Sequence, residues 1–329
     1  MSATADAFAR LDQDLKDIIT AGGHPIEWDD YVGQEKAKKV LRRAAASAKI
    51  RDAVMGHALL FSPYAGIGKT SLAILTALEM GRGFRIASGK ITLREMRKIL
   101  ADMVDGEVLI IDECHLLVTG GKANSEWLLP YMQSGKLIGP LGPEDFPRVT
   151  IIGTTTAAGA LPGPVRERFA YQPALEMYTL ADATEIAFMH AGALFPADME
   201  IPDIDCAQRL ATAGSCRPRV IRHLVTTLLD LAIVGEVEGP DYDLSEVLRS
   251  CEVTDDGLNA QAQEYLRFIG RSDSPIGANV LSEHLGEKGD GLMDLERLLI
   301  DKGYLGRSRL GRELTRAGII RAKQLSVHV

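Results

Sequence analysis

A short apolar run, Ala58-Leu59-Leu60-Phe61, is followed by Ser62-Pro63-Tyr64-Ala65-Gly66-Ile67-Gly68-Lys69-Thr70 and then by a helical stretch beginning Ser71-Leu72-Ala73. Strand, glycine-containing loop and helix start in that order constrain the fold more than any other feature of the chain. They place a buried strand directly before a helix and so predict an α/β unit built on a parallel sheet. The first N–H groups of a helix have no partner within it and carry partial positive charge. Gly66, Ile67, Gly68, Lys69, Thr70 and Ser71 therefore form a candidate cradle for phosphate groups. Lys69 would reach the β- and γ-phosphates of a nucleotide, and the Thr70 hydroxyl would ligate Mg²⁺. The entry of the loop departs from the usual pattern, because position 63, where a first glycine is expected, holds proline.

A second apolar run, Val108-Leu109-Ile110-Ile111, ends in Asp112-Glu113. Two adjacent acids often do no more than end a strand. Downstream of a Lys-Thr loop they gain a specific reading: Asp112 holds Mg²⁺ through water, and Glu113 orients and polarises the attacking water. His115 follows, with two readings open, a nucleotide or DNA sensor or a packed side chain. A third run, Val149–Ile152, leads into Gly153-Thr154-Thr155-Thr156, where a polar residue would reach the γ-phosphate or the water. Pro164-Val165-Arg166-Glu167-Arg168-Phe169 supplies arginines close behind that strand. They are candidates for a finger that stabilises transition-state charge, or for ordinary surface salt bridges.

The runs Ala58–Phe61, Phe84–Ala87, Val108–Ile111 and Thr150–Gly153 alternate with helical patterns, as in a parallel sheet covered on both faces. Residues 1–24 read as a helical extension with some freedom to move, and 25–175 as the large α/β domain. Residues 176–250 show helical spacing throughout (Leu210, Leu224, Leu228) and read as a small helical domain. Residues 251–329 form a third module with a turn at Ser274-Pro275 and a basic segment near its end. No apolar run approaches the roughly 20 residues that span a bilayer. The first residues lack a signal core, and the four cysteines form no CxxC pair. These features predict a cytoplasmic protein with reduced thiols and no zinc site. The net charge of −8 argues against nucleic-acid binding on the whole-chain scale, but a local basic surface is what decides it.

Taken in order, Tyr31-Val32-Gly33-Gln34, the Lys-Thr loop, Ser88-Gly89, Asp112-Glu113-Cys114-His115, Gly153-Thr154-Thr155-Thr156, Arg166-Glu167-Arg168-Phe169 and Met177-Tyr178-Thr179 resemble the RuvB family of AAA+ ATPases, which drive Holliday-junction branch migration. The resemblance spans about residues 25 to 325. It implies an AAA+ P-loop parallel-sheet domain, then a small helical lid domain, then a C-terminal winged-helix domain. It further implies ATP and Mg²⁺ as cofactors, a hexameric ring and action on double-stranded or branched DNA. By position, Tyr31 and Val32 would flank the adenine, and Thr156 would be the first sensor. Arg168 would be the finger acting in trans, and Arg219, in Arg217-Pro218-Arg219, the second sensor.

In the third module, Gly277–Gly286 and Gly291–Gly303 look like the two helices of a winged helix. The second is acidic (Asp294, Glu296, Asp301), which favours the wing as the DNA contact. Arg307, Arg309 and Arg312 surround Gly311, with Arg316, Arg321 and Lys323 behind and only Glu313 opposing them. The sequence also departs from the family. RuvB docks on its partner RuvA through a β-hairpin just before the first-sensor strand. The equivalent segment here, Gln133–Arg148, is short, rich in Gly and Pro, and expected not to form it, which puts a RuvA-like partner in doubt. An arginine of the family is Ala157 here. Two rivals stand beside the DNA motor: an AAA+ loader or switch that remodels a protein on DNA, and a degenerate ATPase serving as a structural ring subunit.

Overall fold

A computed structural model describes residues 2–11, 13–119, 128–139, 142–272 and 274–327. They fall into two compact units, Met1–Tyr178 and Thr179–Val329. The first contains α1 (Ala3–Ala9), α2 (Gln13–Gly22), α3 (Glu35–Ile50), β1 (Ala58–Phe61), α4 (Lys69–Met80), β2 (Phe84–Ser88), α5 (Leu93–Ala101) and β3 (Val108–Asp112). It continues with α6 (Leu116–Thr119), α7 (Leu128–Ser134), β4 (Lys136–Gly139), β5 (Gly142–Asp145), β6 (Thr150–Thr155) and α8 (Gly163–Arg166).

The central sheet has the order β1-β6-β3-β2, all parallel. Bridges from Tyr171 and Ala174 extend it beyond β1. A parallel sheet must be covered on both faces, and alternate residues of each strand serve the two sides. Leu59, Leu109, Ile111 and Ile151 join one buried cluster with Met96 and Leu100 of α5, Tyr131 of α7 and Phe169. On the opposite side α4 packs along β1, β3 and β6, and α3 packs on α4. That double burial explains why the strands read as continuous apolar runs rather than as alternating ones.

The N-terminal extension does not hang free. Helix α1 packs on α4, Ile19 of α2 is fully buried, and Trp28 Nε1 donates to Glu79 on α4 at 2.8 Å. A further expectation is overturned in the segment before β6. Strands β4 and β5 form an antiparallel hairpin, with Lys136 opposite Asp145 and Ile138 opposite Pro143. Its tip, Pro140-Leu141, lies outside the described residues. Glycine and proline mark this segment as loop by composition, but three tertiary features hold it as a hairpin. Leu137 is fully buried in the core cluster. Lys136 pairs with Asp145 across the ribbon at 3.3 Å. Arg97 on α5 reaches Glu144 at 3.2 Å. A two-stranded ribbon leaves alternate N–H groups facing outward, so Pro143 need not break the ladder.

The second unit begins with α9 (Leu180–Leu194), α10 (Ile204–Ala213), α11 (Pro218–Ile233) and α12 (Ser245–Ser250). Leu210, Leu224 and Leu228 are fully buried. It continues with α13 (Ala260–Gly270), α14 (Ala278–Leu285), α15 (Asp290–Asp301), β7 (Leu305–Ser308), β8 (Gly311–Leu314) and α16 (Arg316–Val327). β7 and β8 make an antiparallel hairpin behind the helices, and Ile276 exchanges backbone bonds of 2.9 Å each way with Arg312. Helices α13 to α16 and this wing enclose a core that includes Leu266, Leu281, Leu299, Leu305 and Leu325. Among the described residues no helix is long and apolar enough to cross a membrane.

One glycine ties the sheet to the residues at its edge. Gly89, just past β2, donates to the Asp112 carbonyl at 2.7 Å, and a Cβ there would lie 2.0 Å from the backbone oxygen of Glu113. Backbone cannot yield as a flexible side chain can. Gly89→Ala is therefore expected to cost about 1–3 kcal/mol of stability and to displace Asp112 and Glu113, read by thermal unfolding together with ATP turnover.

Candidate active site

The carboxyl ends of β1, β3 and β6 meet the N-terminus of α4. Gly66 and Gly68 adopt φ of 72° and 91°, a left-handed backbone that suits glycine, and carry the chain from β1 into the helix. Gly68 is the N-cap and no side chain caps the helix, so the first-turn N–H groups remain available to an anion. Proline at 63 does not prevent this loop from forming. Lys69 is almost fully buried, with its Nζ donating to the Tyr64 carbonyl at 2.9 Å. Tyr31 donates to the Gly68 carbonyl at 3.2 Å and Tyr178 to that of Ile67 at 3.4 Å. Burial, then the neighbouring Tyr178, pushes the Tyr31 phenol well above its usual range, so it stays a donor. Val32 is half-buried beside it, and Ser71 meets His24 Nδ1 through its hydroxyl at 2.8 Å.

Asp112 is the point of convergence. Its Oδ1 accepts from the Thr70 hydroxyl at 3.2 Å and from the Thr154 hydroxyl on β6. A threonine hydroxyl and a carboxylate in contact form the oxygen donor set that suits Mg²⁺, which takes one or two protein oxygens and keeps its waters. Glu113 follows with φ 48°, a strained backbone for a non-glycine residue. Its Oε2 accepts from both the backbone N–H and the hydroxyl of Thr156 at 3.1 Å and lies 3.2 Å from His115 Nδ1. His115 is buried and also bonds the Thr155 hydroxyl at 2.9 Å. The packed reading of His115 thus describes its surroundings, although it touches Glu113. Cys114 lies in the core, where burial, then Glu113, pushes its thiol up to about 12. Its Sγ would stand 2.9 Å from a Cβ on Gly153, so the strand can carry only glycine there without repacking.

The structure therefore brings together Tyr31, Val32, Gly66 to Ser71, Asp112, Glu113 and Thr156. Thr154 and Tyr178 belong to the same constellation; both stand within sequence motifs, but neither is given a role of its own by the sequence alone. Strand alternation was the available signal for Thr154, because it places Thr154 and Thr156 on one side of β6 and Thr155 on the other. Arg168 is exposed beyond α8, its Nη2 3.5 Å from Gln133 Oε1. Arg219 is exposed in the first turn of α11, in the second unit.

The basic segment needs a correction. Glu313 is not the only acid opposing it. Arg307 and Arg312 both bind Glu296, and Arg321 binds Asp256 at 2.6 Å. Asp256 lies 65 residues from Arg321, and Glu296, on the acidic helix before the wing, is brought against Arg307 and Arg312 only by the packing of that helix. Arg309 is exposed at the wing tip.

A strand, an uncapped glycine loop, a Lys-Thr pair and an Asp-Glu pair ending the adjacent strand define a P-loop ATPase. Residues 24–175 match the family model described as the Holliday junction DNA helicase RuvB P-loop domain, and 255–322 that of the RuvB C-terminal winged helix domain. The chain is 33% identical to the Holliday junction branch migration complex subunit RuvB of Synechococcus sp. (strain CC9311), over 96% of this chain and 91% of that one. It is 31% identical to the subunit of the same name from Streptococcus thermophilus, over 93% and 94%. It superposes on the Thermotoga maritima RuvB Holliday junction branch migration motor with a TM-score of 0.80 at 30% identity, covering 91% of this chain and 98% of the other. The chain belongs to the RuvB family.

Glu113→Gln keeps the shape of the side chain and one acceptor oxygen but removes the carboxylate charge, and tests the expectation that Glu113 is the base. It is expected to lower kcat by about 10²–10⁴-fold while ATP still binds. Thr156→Val deletes one of the two Thr156 bonds to Glu113 and is expected to lower kcat about tenfold, roughly 1.4 kcal/mol, with little change in KM. Steady-state turnover and nucleotide-binding titrations separate the two effects.

Proposed function

We propose that the protein is a cytoplasmic, Mg²⁺-dependent ATPase that works as a hexameric ring and translocates on double-stranded DNA, acting at branched junctions. The observation that carries the reading is the Thr70-Asp112-Glu113-Thr156 constellation at the end of the parallel sheet, in a chain that also holds a winged-helix module. In this reading 25–175 is the ATPase domain, 176–250 the lid and 251–329 the DNA-binding module.

The residues divide the chemistry as follows. The α4 N-terminus and Lys69 bind the phosphates, Lys69 leaving the Tyr64 carbonyl to do so. Thr70 and Asp112 hold Mg²⁺, which supplies Lewis-acid charge neutralisation when bound. Glu113 orients the attacking water and takes its proton, with Thr156 and His115 setting the direction of the carboxylate. Arg168, which is exposed, is the finger offered in trans to a neighbouring subunit, and Arg219 serves as the second sensor from the lid. Tyr31 and Val32 line the base side.

The loader or switch reading drew support from a missing hairpin, and that support is gone. The β4–β5 ribbon presents Ile138 at 59% exposure, an apolar contact suited to a RuvA-like loading partner.

The test is ATP turnover without DNA, with linear duplex and with a synthetic four-way junction. DNA is expected to raise the rate, and Lys69→Ala and Arg168→Ala are each expected to abolish it, the latter by about 10³–10⁵-fold. Mixing the two inactive variants should restore part of the activity, because a Lys69→Ala subunit still offers its Arg168 to a neighbour with an intact loop. A mixture as inactive as its parts would remove the finger in trans. Indifference of the wild type to every DNA would transfer the engine to a protein substrate.

A further inference from the structure

Arg307 on β7 and Arg312 on β8 stand directly opposite each other in the wing. Like charges so placed repel and would weaken the hairpin. Both instead bind one carboxylate, that of Glu296 on α15. Arg312 Nε donates to Oε1 at 2.8 Å and its Nη2 to Oε2 at 3.3 Å, and Arg307 Nη2 donates to Oε2. Tyr265 on α13 donates to Oε1 at 3.2 Å. Glu296 is only 1% exposed. A carboxylate so buried must be paired and hydrogen-bonded to be tolerated, and the guanidinium groups of Arg312 and of the half-exposed Arg307 supply that pairing. The wing is also held from its third side, because Gly311, at φ 141°, passes so close to Ile276 that a Cβ would lie 2.6 Å from the Ile276 oxygen. Beyond this stem the tip projects. Its backbone is turned by the Leu310 N–H bonding the Ser308 hydroxyl at 3.2 Å. Arg309 is exposed there, and Leu310 is 81% exposed.

We propose that Glu296 is a positioning residue that locks the wing into a rigid prong. Arg307 and Arg312 are its tethers and not phosphate contacts, and Arg309, with Leu310 beside it, is the part of the wing that meets the DNA backbone. The proposal rests on the reading that the winged-helix module binds duplex DNA. It makes a prediction opposite in sign to simple electrostatics. Removing the negative charge of Glu296 makes the module more positive and on charge alone should tighten DNA binding. If the carboxylate is the anchor, its removal weakens binding.

The experiment uses the full chain and a fluorescent linear duplex, with the affinity measured across a range of salt concentrations. Each phosphate contact adds about 0.9 to the slope of log affinity against log salt. Arg309→Ala is expected to weaken binding and flatten the slope by about that amount. Arg307→Lys keeps the charge and loses the fork, and is expected to weaken binding with the slope unchanged. Glu296→Gln is expected to weaken binding and to speed amide hydrogen exchange along β7 and β8, with ATP turnover in the absence of DNA retained. Tighter binding by Glu296→Gln, or unchanged exchange in the wing, would overturn the proposal. Should Glu296→Gln fail to fold, Arg307→Lys decides alone, since wild-type affinity in that variant sinks the tether. A wild-type protein that binds no duplex overturns the DNA reading and the role of Arg309 with it, while the exchange measurement still decides whether Glu296 clamps the wing.

Discussion

Asp112 receives the hydroxyls of Thr70, at the start of the P-loop helix, and of Thr154, on the neighbouring strand. This single carboxylate joins three segments that are remote in sequence. Its position follows from the parallel register, in which β3 lies between β2 and β6 with Ser88 level with Asp112 and Ile111 level with Gly153. Parallel strands end on the same side of a sheet, so their C-terminal residues collect at one edge, where the α4 N-terminus also lies. The glycines Gly89 and Gly153 keep that edge compact. One passes against the Glu113 backbone and the other against Cys114.

The groups with most to do are engaged internally. Lys69 bonds the loop's own Tyr64 carbonyl, and Glu113 accepts two bonds from Thr156. Each bond satisfies a charge that would be costly to leave unpaired in a partly buried site. The strained φ of Glu113 places its carboxylate beside Thr156 instead of continuing the line of β3.

Charge is distributed with similar economy. The net charge of −8 coexists with a basic C-terminal segment, but two of the wing's arginines and one on α16 are paired with acids of the same unit. Glu296 takes two of them and Asp256 takes Arg321. Asp256 is drawn up by burial, yet hydrogen bonds from Thr254, Tyr304 and Arg321 hold it below its ordinary range, so it remains an anion and a firm partner. What reaches solvent at the tip is a small surface. That is consistent with backbone contacts that carry no sequence information.

The amino-acid sequence by itself determined the four strands of the sheet, the glycine loop, the Asp-Glu pair and two of the helices of the winged module, α14 and α15. These are local: apolar runs, a helix start and turn residues act over a few positions. Two of the later findings, the hairpin and the wing clamp, went against the local signal. Glycine and proline marked residues 133–148 as loop, and only the burial of Leu137 with the pairs Lys136–Asp145 and Arg97–Glu144 made them a ribbon. The arginine count around Gly311 suggested an open basic patch, and only the packing of α15 against the wing set Glu296 beneath it. Docking of the N-terminal helices on α4 and the meeting of Thr154 with Asp112 were decided in the same way. Each depends on a partner on another element, from about ten to several tens of residues away, and burial there changes the energetics. A polar group removed from water must find a partner wherever the fold supplies one. Composition and spacing along the chain cannot say which partner that will be.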